Sequence, residues 1–550
     1  MRLARLAGVG LVALALLTGC SKDEAVQVKG PTPDPQAHAG GVLRVGILRP
    51  TTIDPQLLPS GDTSAALVVR TMCDPLVGAD PVSRELSAAV ASDWRVLGGT
   101  GVQVQIRHGL KFSDGSAVSA RDVAYSLRRL VDPNVVAPQT ALLNKVLGYS
   151  GVQEGKFDVS SMSGIKTTSS DAVQVTLSEV DSQFVYALDQ PFATPVSRAA
   201  AAKRGFSAHP VCVGPYRLKG AYTGTESVIT LERNPFYSGT RPILTRAGQG
   251  WADQVQFTIF PTRKAAAAAL ARGSLDAALI GSHDVVSSVA GSRVLKATTG
   301  RLEYVGLPDK EPFTQPLVDA ALSRSLDRQR LIDTVFGGGR TPAYNLVPPT
   351  LPDSLLPTGP VTTCGISPTG NLAEAKSLLA SAGVKTLGTF PVYFNDEFDN
   401  AKLINAVASQ WSQLGLKLTR TPVSFAELIS RGEGSGGFDG LFRMAITADY
   451  ADQSKFVLPL VSIEALGKTN YAGYNGELLT RQVKKLQKAV PVGDQRIQSL
   501  AVTRATCAVP VIPIAWYDEH LAISSGVVVA AHDGVDRAVG LPELRELAVG

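Results

Sequence analysis

Apolar residues fall on every second position from Val102 to Ile106, with Gln103, Gln105 and Arg107 between and after them. That alternation predicts a strand with one buried face. Asp114-Gly115 then marks a turn. Ser119 fits a helix N-cap, with Asp122 three residues on as in a capping box. Val123, Leu127 and Leu130 share one helical face, and Asp132-Pro133 ends the helix. The same grammar recurs elsewhere. Residues 40–50 read as a first strand that turns at Asp54-Pro55. An alanine-rich helix is predicted from Thr262 to Arg272, with Gly273 as its C-cap and an apolar strand behind it. Helical and strand patterns alternate through residues 262–460, which predicts an α/β body. At about 150 residues per domain, 550 residues suggest three or four structural units.

The first twenty residues follow a different pattern. Arg2 and Arg5 precede an apolar run from Leu6 to Leu17. Such a run is too short to span a bilayer, which needs about 20 residues, and reads as a secretory signal. Its end, Leu17-Thr18-Gly19-Cys20, resembles the lipobox of bacterial lipoproteins, which implies a diacylglyceryl group on the Cys20 thiol. Several acyl chains on one residue hold a protein stably at a membrane. Residues 21–40 carry Pro31, Pro33 and Pro35 among glycines and charges, the composition of an extended tether.

Charge and composition narrow the chemistry. Charged residues are 18% of the chain against 44% hydrophobic, so the body is globular rather than a disordered polyelectrolyte. The net charge is +5, and lysines and arginines are scattered, which argues against nucleic acid as a partner. Apart from Cys20 there are Cys73, Cys212, Cys364 and Cys507, with no Cys-x-x-Cys, so zinc or redox chemistry is not indicated. Outside the cytoplasm an even number suggests two disulfides, and four cysteines allow three connectivities. There is no Gly-x-Ser-x-Gly and no His-Glu-x-x-His, and Ser462–Thr469 lacks the first glycine of a P-loop. No enzyme activity, metal or cofactor is expected.

The stretch "LKFSDGSAVSARDVAYSLRR" (Leu110–Arg129) is similar to the signature of the family 5 solute-binding proteins, the peptide- and nickel-binding class of ABC importers. Phe112, Asp114, Gly115, Ala120, Asp122, Val123, Tyr125, Ser126 and Leu127 match it. Further matches follow in the family's order: "VGPYRLKG" from Val213, "LERNPFYSG" from Leu231, "ALARGSLDAALI" from Ala269, and "PLVDAALSRSLDRQRLIDTVFGGGRTPA" from Pro316. "NLAEAKSLLASAG" from Asn371, "ADYAD" from Ala448 and "PVIPIAWYDEH" from Pro510 complete the series, so the resemblance covers nearly all of residues 41–550. It implies a two-lobed periplasmic-binding-protein-like fold, of class II with an extra subdomain, and a ligand cleft between the lobes. Carried over, lobe one is 41–262 plus 508–550, with an inserted subdomain near 84–205, and lobe two is 263–507. On that map Cys73–Cys212 and Cys364–Cys507 are the expected disulfides. The expected partners are a ligand, most simply a peptide, and the permease subunits of an ABC transporter. The setting is the extracytoplasmic face of the membrane, and the protein is expected to be monomeric. A nickel chelate, haem or an oligosaccharide are the other ligands the class suggests, as is a surface sensor without transport. Aromatic residues are only 6%, which disfavours sugar stacking.

The resemblance also points to a site. If Phe442–Tyr450 is a strand, Arg443, Ala445, Thr447 and Asp449 face one way, with Arg443 and Asp449 about 20 Å apart. In peptide-binding members the aspartate of this motif meets the ligand's ammonium group, and an arginine six residues earlier meets the ligand carboxylate or a neighbour of it. Asp449 and Arg443 hold those positions, and Tyr450 and Thr447 are counted with them as ligand-binding residues. Asp452, three residues before Lys455, reads instead as a helix start. Two departures from the family pattern are Ile446, where an aromatic residue is common, and Gln453, where proline is common.

Overall fold

The computed structural model describes residues 39–79, 86–238, 250–281, 291–348, 366–433, 437–448, 453–474, 511–530, 535–536 and 540–549, with 477, 480–481, 484 and 507. The chain divides into two units, Met1–Asp34 and Pro35–Gly550. Cys20, Cys364, Asp449, Tyr450 and Asp452 lie outside the described residues.

One eleven-stranded mixed sheet organises the chain. In chain order its strands are β1 (Val42–Leu48), β2 (Tyr216–Lys219), β3 (Val228–Arg233), β4 (Gln254–Phe260), β5 (Ala277–Ile280), β6 (Arg293–Gly306), β7 (Arg340–Pro342), β8 (Gly388–Asn395), β9 (Leu416–Val423), β10 (Leu441–Thr447) and β11 (Val511–Ile523). Across the sheet the order is β9-β8-β10-β6-β11-β5-β1-β4-β3-β2, and β7 pairs with β11. β4 and β5 lie parallel to β1, and β9 and β10 lie parallel to β8. β6 is antiparallel to β10 and β11, and β11 to β5.

Two lobes share this sheet because β6 and β11 are long enough, at 14 and 13 residues, to serve both. Leu295 and Ala297 of β6 and Leu521 and Ile523 of β11 pack in one core with β1, β4 and the helix Thr63–Met72. Val305 of β6 and Ile512, Ile514 and Ala515 of β11 pack in another, under the helices Pro316–Ser325, Arg328–Phe336 and Asn400–Trp411. The passage between lobes therefore falls inside the two strands, near residues 298–302 and 516–518. The boundaries expected at 262/263 and 507/508 lie elsewhere along the chain. The helix Arg263–Ala271 and β5 belong to lobe one, because β5 pairs with β1 (Val45 opposite Ala277) and the helix packs on Ala278 and Ile280.

Local signals read from the sequence have concrete counterparts. Ser119 and Asp122 form a capping box at the helix Ala120–Arg129. Thr262 caps the next predicted helix through the Ala265 amide, and Gly273 takes the left-handed φ of +74° that an L side chain resists. In lobe one a separate four-stranded antiparallel sheet holds Ala91–Leu97, Gly101–Ile106, Ala172–Thr176 and Ile165–Thr167. Cys73, at the end of the Thr63–Met72 helix, is disulfide-bonded to Cys212 with Cα atoms 5.7 Å apart. Cys507 is disulfide-bonded as well. The chain's end returns to lobe one, where buried Arg545 pairs with Asp74 at 2.5 Å.

Candidate functional site

Strand direction locates the site. In lobe two β10 runs antiparallel to β6, so its carboxyl end, Thr447, lies opposite Arg301. In lobe one β5 runs antiparallel to β11, so its carboxyl end, Ile280, lies opposite His520. The parallel strands of both lobes thus aim their carboxyl ends at the same stretch of β6 and β11. In open α/β sheets ligands bind beyond the carboxyl ends of parallel strands, where the strand order changes direction. Here β11's edge passes from β5, beside residues 520–523, to β7, beside residues 515–517.

The ladder is irregular at this stretch. Thr298 pairs with Asp518 and Leu302 with Trp516, so Thr299, Gly300 and Arg301 stand against Tyr517 alone. A bulge of this kind bends the strand and re-aims its side chains. Thr299 steadies the loose backbone: its hydroxyl donates to the Tyr517 carbonyl at 3.0 Å and accepts from the Arg301 amide at 3.3 Å. The Ala448 amide donates to the Gly300 carbonyl at 3.0 Å.

One face of the strip gathers ionisable groups. Glu303 is fully buried. One of its carboxylate oxygens takes the Arg443 Nε, and the other takes Arg340 Nη1 at 2.5 Å and the Tyr517 hydroxyl at 2.7 Å. Burial alone would raise the Glu303 pKa, but Arg443 and Arg340 outweigh it and hold the carboxyl at about 2. Burial tends to lower the Arg443 pKa, and Glu303 more than reverses that, so Arg443 stays charged. Arg443 also donates to Asn395 Oδ1 at 3.2 Å and to the Tyr517 hydroxyl at 2.9 Å. Arg340 lies over the rings of Phe336 and Tyr517, 3.6 and 3.8 Å from their centroids. Further along β11, Glu519 accepts from Arg263 and from the Thr63 hydroxyl, both at 2.8 Å. On the opposite face Asp518 pairs with Lys296 at 3.4 Å, and buried His520 is pushed down to about 4 by desolvation.

This geometry revises one expectation. Arg443 does not stand as an open cation on the β10 surface. Its alternation with Thr447 holds, but its side chain is 4% exposed and saturated by Glu303, Asn395 and Tyr517. Thr447 is exposed at the end of β10, two positions before Asp449. Sequence reasoning missed Arg301, Glu303, Arg340 and Tyr517. A usable signal was present in "GRLEY": a glycine inside a strand pattern marks a bulge, and Arg301 and Glu303 alternate with Leu302 and Tyr304. Among the described residues no cluster of three or more histidine, cysteine or acidic side chains could hold a metal ion, and no helix is long and apolar enough to cross a membrane.

Two lobes on one continuous sheet, with a polar strip at their junction, define a solute-binding protein of the two-lobed kind. The family model of the bacterial extracellular solute-binding proteins, family 5, matches residues 85–465, and the chain belongs to that family. It is accordingly a binding protein and not an enzyme. It is 27% identical over 427 residues to the probable deoxycholate-binding periplasmic protein YgiS of Escherichia coli K12, covering 75% of this chain and 76% of the relative. It is 27% identical over 376 residues to the periplasmic oligopeptide-binding protein OppA of the same organism, covering 66% and 67%. Among solved structures, the unliganded open form of the periplasmic murein tripeptide binding protein MppA superposes with a TM-score of 0.77 at 20% identity, over 93% of this chain and 97% of that one.

Proposed function

We propose that this chain is a lipid-anchored extracytoplasmic protein that captures a peptide at the lobe junction and delivers it to the permease of an ABC importer. The observation that carries the reading is the convergence of both lobes' strand ends on a polar, ion-rich strip, in a family whose relatives include proteins named for oligopeptide, dipeptide and glutathione binding. Asp449 receives the ligand's ammonium group, with Tyr450 and Thr447 beside it. Arg443 acts behind them, fixing Glu303 and the Tyr517 hydroxyl rather than clamping the ligand as a free cation. Ligand main chain adds to strand edges, which gives affinity with little side-chain demand. Closure of the lobes around the ligand presents a distinct shape to the transporter. Cys20 carries the lipid, and residues 21–40 are the leash.

Native mass spectrometry of the full chain, purified from cells in mild detergent, tests this. A ladder of bound peptide masses is expected, and Asp449→Asn should lose it while keeping the wild-type thermal transition. A single non-peptide mass, or a ladder unchanged in Asp449→Asn, would overturn the peptide reading or the ammonium contact respectively.

A further inference from the structure

Among the described residues the lobe junction holds five cations, Arg263, Arg301, Arg340 and Arg443 with Lys296 on the opposite face, against three carboxylates, Glu303 and Glu519 with Asp518 beside Lys296. The carboxylates are all engaged: Glu519 by Arg263, Asp518 by Lys296, and Glu303 by both Arg340 and Arg443. Arg301 is left over. Its guanidinium lies over the Tyr517 ring, 4.3 Å from the centroid, and among the described residues it pairs with no carboxylate. It is half-buried rather than waving in solvent, and it sits in the bulge directly across from exposed Thr447.

That combination is informative. A surface arginine at the end of a strand ordinarily points its five N–H donors at water and costs nothing to leave unpaired. Arg301 is held instead by an aromatic ring on one side, and its backbone amide donates to the Thr299 hydroxyl. A ring contact of this kind holds the guanidinium in place without using its N–H donors. A planar, pre-oriented fork of donors suits a carboxylate, which it can meet with two parallel hydrogen bonds. Counted over the described residues, cations outnumber carboxylates here by two, which favours an anion over a neutral group beside Arg301.

We propose that Arg301 is a specificity-determining residue that selects ligands bearing a carboxylate, so that the ligand class is peptides carrying an acidic group. This rests on the peptide reading of the site above. The carboxylate can belong to an acidic side chain or to the peptide's own carboxyl end, and the chemistry at Arg301 is the same. Closure strengthens the contact, because a charge pair shielded from bulk water is stronger than one exposed to it. Arg340 and Arg443 do not take this role, since each already shares Glu303.

The test is isothermal titration of the full chain in detergent, at low ionic strength, with alanine tetrapeptides. These carry glutamate or glutamine at an inner position, each with a free or an amidated carboxyl end. Wild type should bind at least one carboxylate-bearing series about tenfold or more tighter than the amidated glutamine peptide, as expected for a charge-assisted pair. A preference that follows glutamate in the amidated peptides assigns the side chain. A preference that follows the free end assigns the terminus. Arg301→Gln should erase the preference while keeping the wild-type thermal transition, and Arg301→Lys should retain part of it. Equal affinities in wild type, or an unaltered preference in Arg301→Gln with a wild-type thermal transition, would overturn the inference and leave peptide binding standing. Failure of wild type to bind any of the four peptides would overturn the peptide reading, and this inference with it.

Discussion

Replacing Arg443 by methionine separates a structural ion pair from a ligand clamp. The side chain keeps its approximate volume and loses its charge. Glu303, with no exposure of its own, would keep Arg340 and the Tyr517 hydroxyl on one oxygen and lose the partner of the other. Breaking a buried pair from one side costs about 3–5 kcal/mol, and the surviving Arg340 contact places the expected loss near the lower end, about 3 kcal/mol. The pH profile gives an independent measure. Glu303 is held at about 2, below an ordinary glutamate's 4.5, so its contribution is fully present above pH 4.5 and is lost as pH falls through 2. That gap corresponds to about 3 kcal/mol, and Glu303→Gln should remove this acid-sensitive step. Urea unfolding at pH 7 and down the acid series is the assay. The double variant Glu303→Gln/Arg443→Met should cost less than the two single variants together by about 1 kcal/mol or more, since it leaves no orphaned carboxylate. If Arg443→Met falls within about 0.5 kcal/mol of wild type at pH 7, the pair is not structural and the guanidinium is open to a ligand after all.

Three other outcomes can be checked directly. His520 is held at about 4 by burial, against an ordinary 6.5, so its neutral form stabilises the fold fully above pH 6.5 and that stabilisation drains away as pH falls through 4. The stability difference between wild type and His520→Leu should therefore change by about 3 kcal/mol across pH 6.5 to 4, and a flat difference would remove His520 as the cause. Joint replacement of Cys73 and Cys212 by alanine opens a link spanning 139 residues and should cost about 2–5 kcal/mol in denaturant unfolding. A loss well under 1 kcal/mol would mean that lobe one is pinned by packing alone. Cys20→Ser should move the protein from the membrane fraction to the soluble fraction and abolish any lipid mass on the N-terminal peptide. Retention at the membrane would refute the anchor.

Much of the fold was legible because it is locally determined. The alternation at Val102–Ile106, the capping box at Ser119 and Asp122, and the cap at Thr262 each depend on residues within one turn or one strand. The lobe boundary was not legible for the same reason. A helix followed by an apolar strand reads alike in either lobe, and only the pairing of Val45 with Ala277, 232 residues apart, assigns it. The site divides similarly. Alternation along β10 is a local signal, but Glu303, 140 residues earlier, decides what Arg443 does there. Tyr517 and Arg301 are neighbours only through the bulge, which depends on how two distant strands slip past one another.

That bulge also has a mechanical meaning. β6 and β11 run without interruption from one lobe into the other, so any change in the angle between lobes must flex this ribbon. A ribbon yields most easily where rungs are missing, and the missing rungs are at Thr299, Gly300 and Arg301, opposite Tyr517. The same few residues are thus both the elbow of the molecule and the place where Arg301 is proposed to meet a ligand carboxylate. A carboxylate gripped there would stiffen the elbow while the arms come together, coupling what is held to how firmly the molecule shuts.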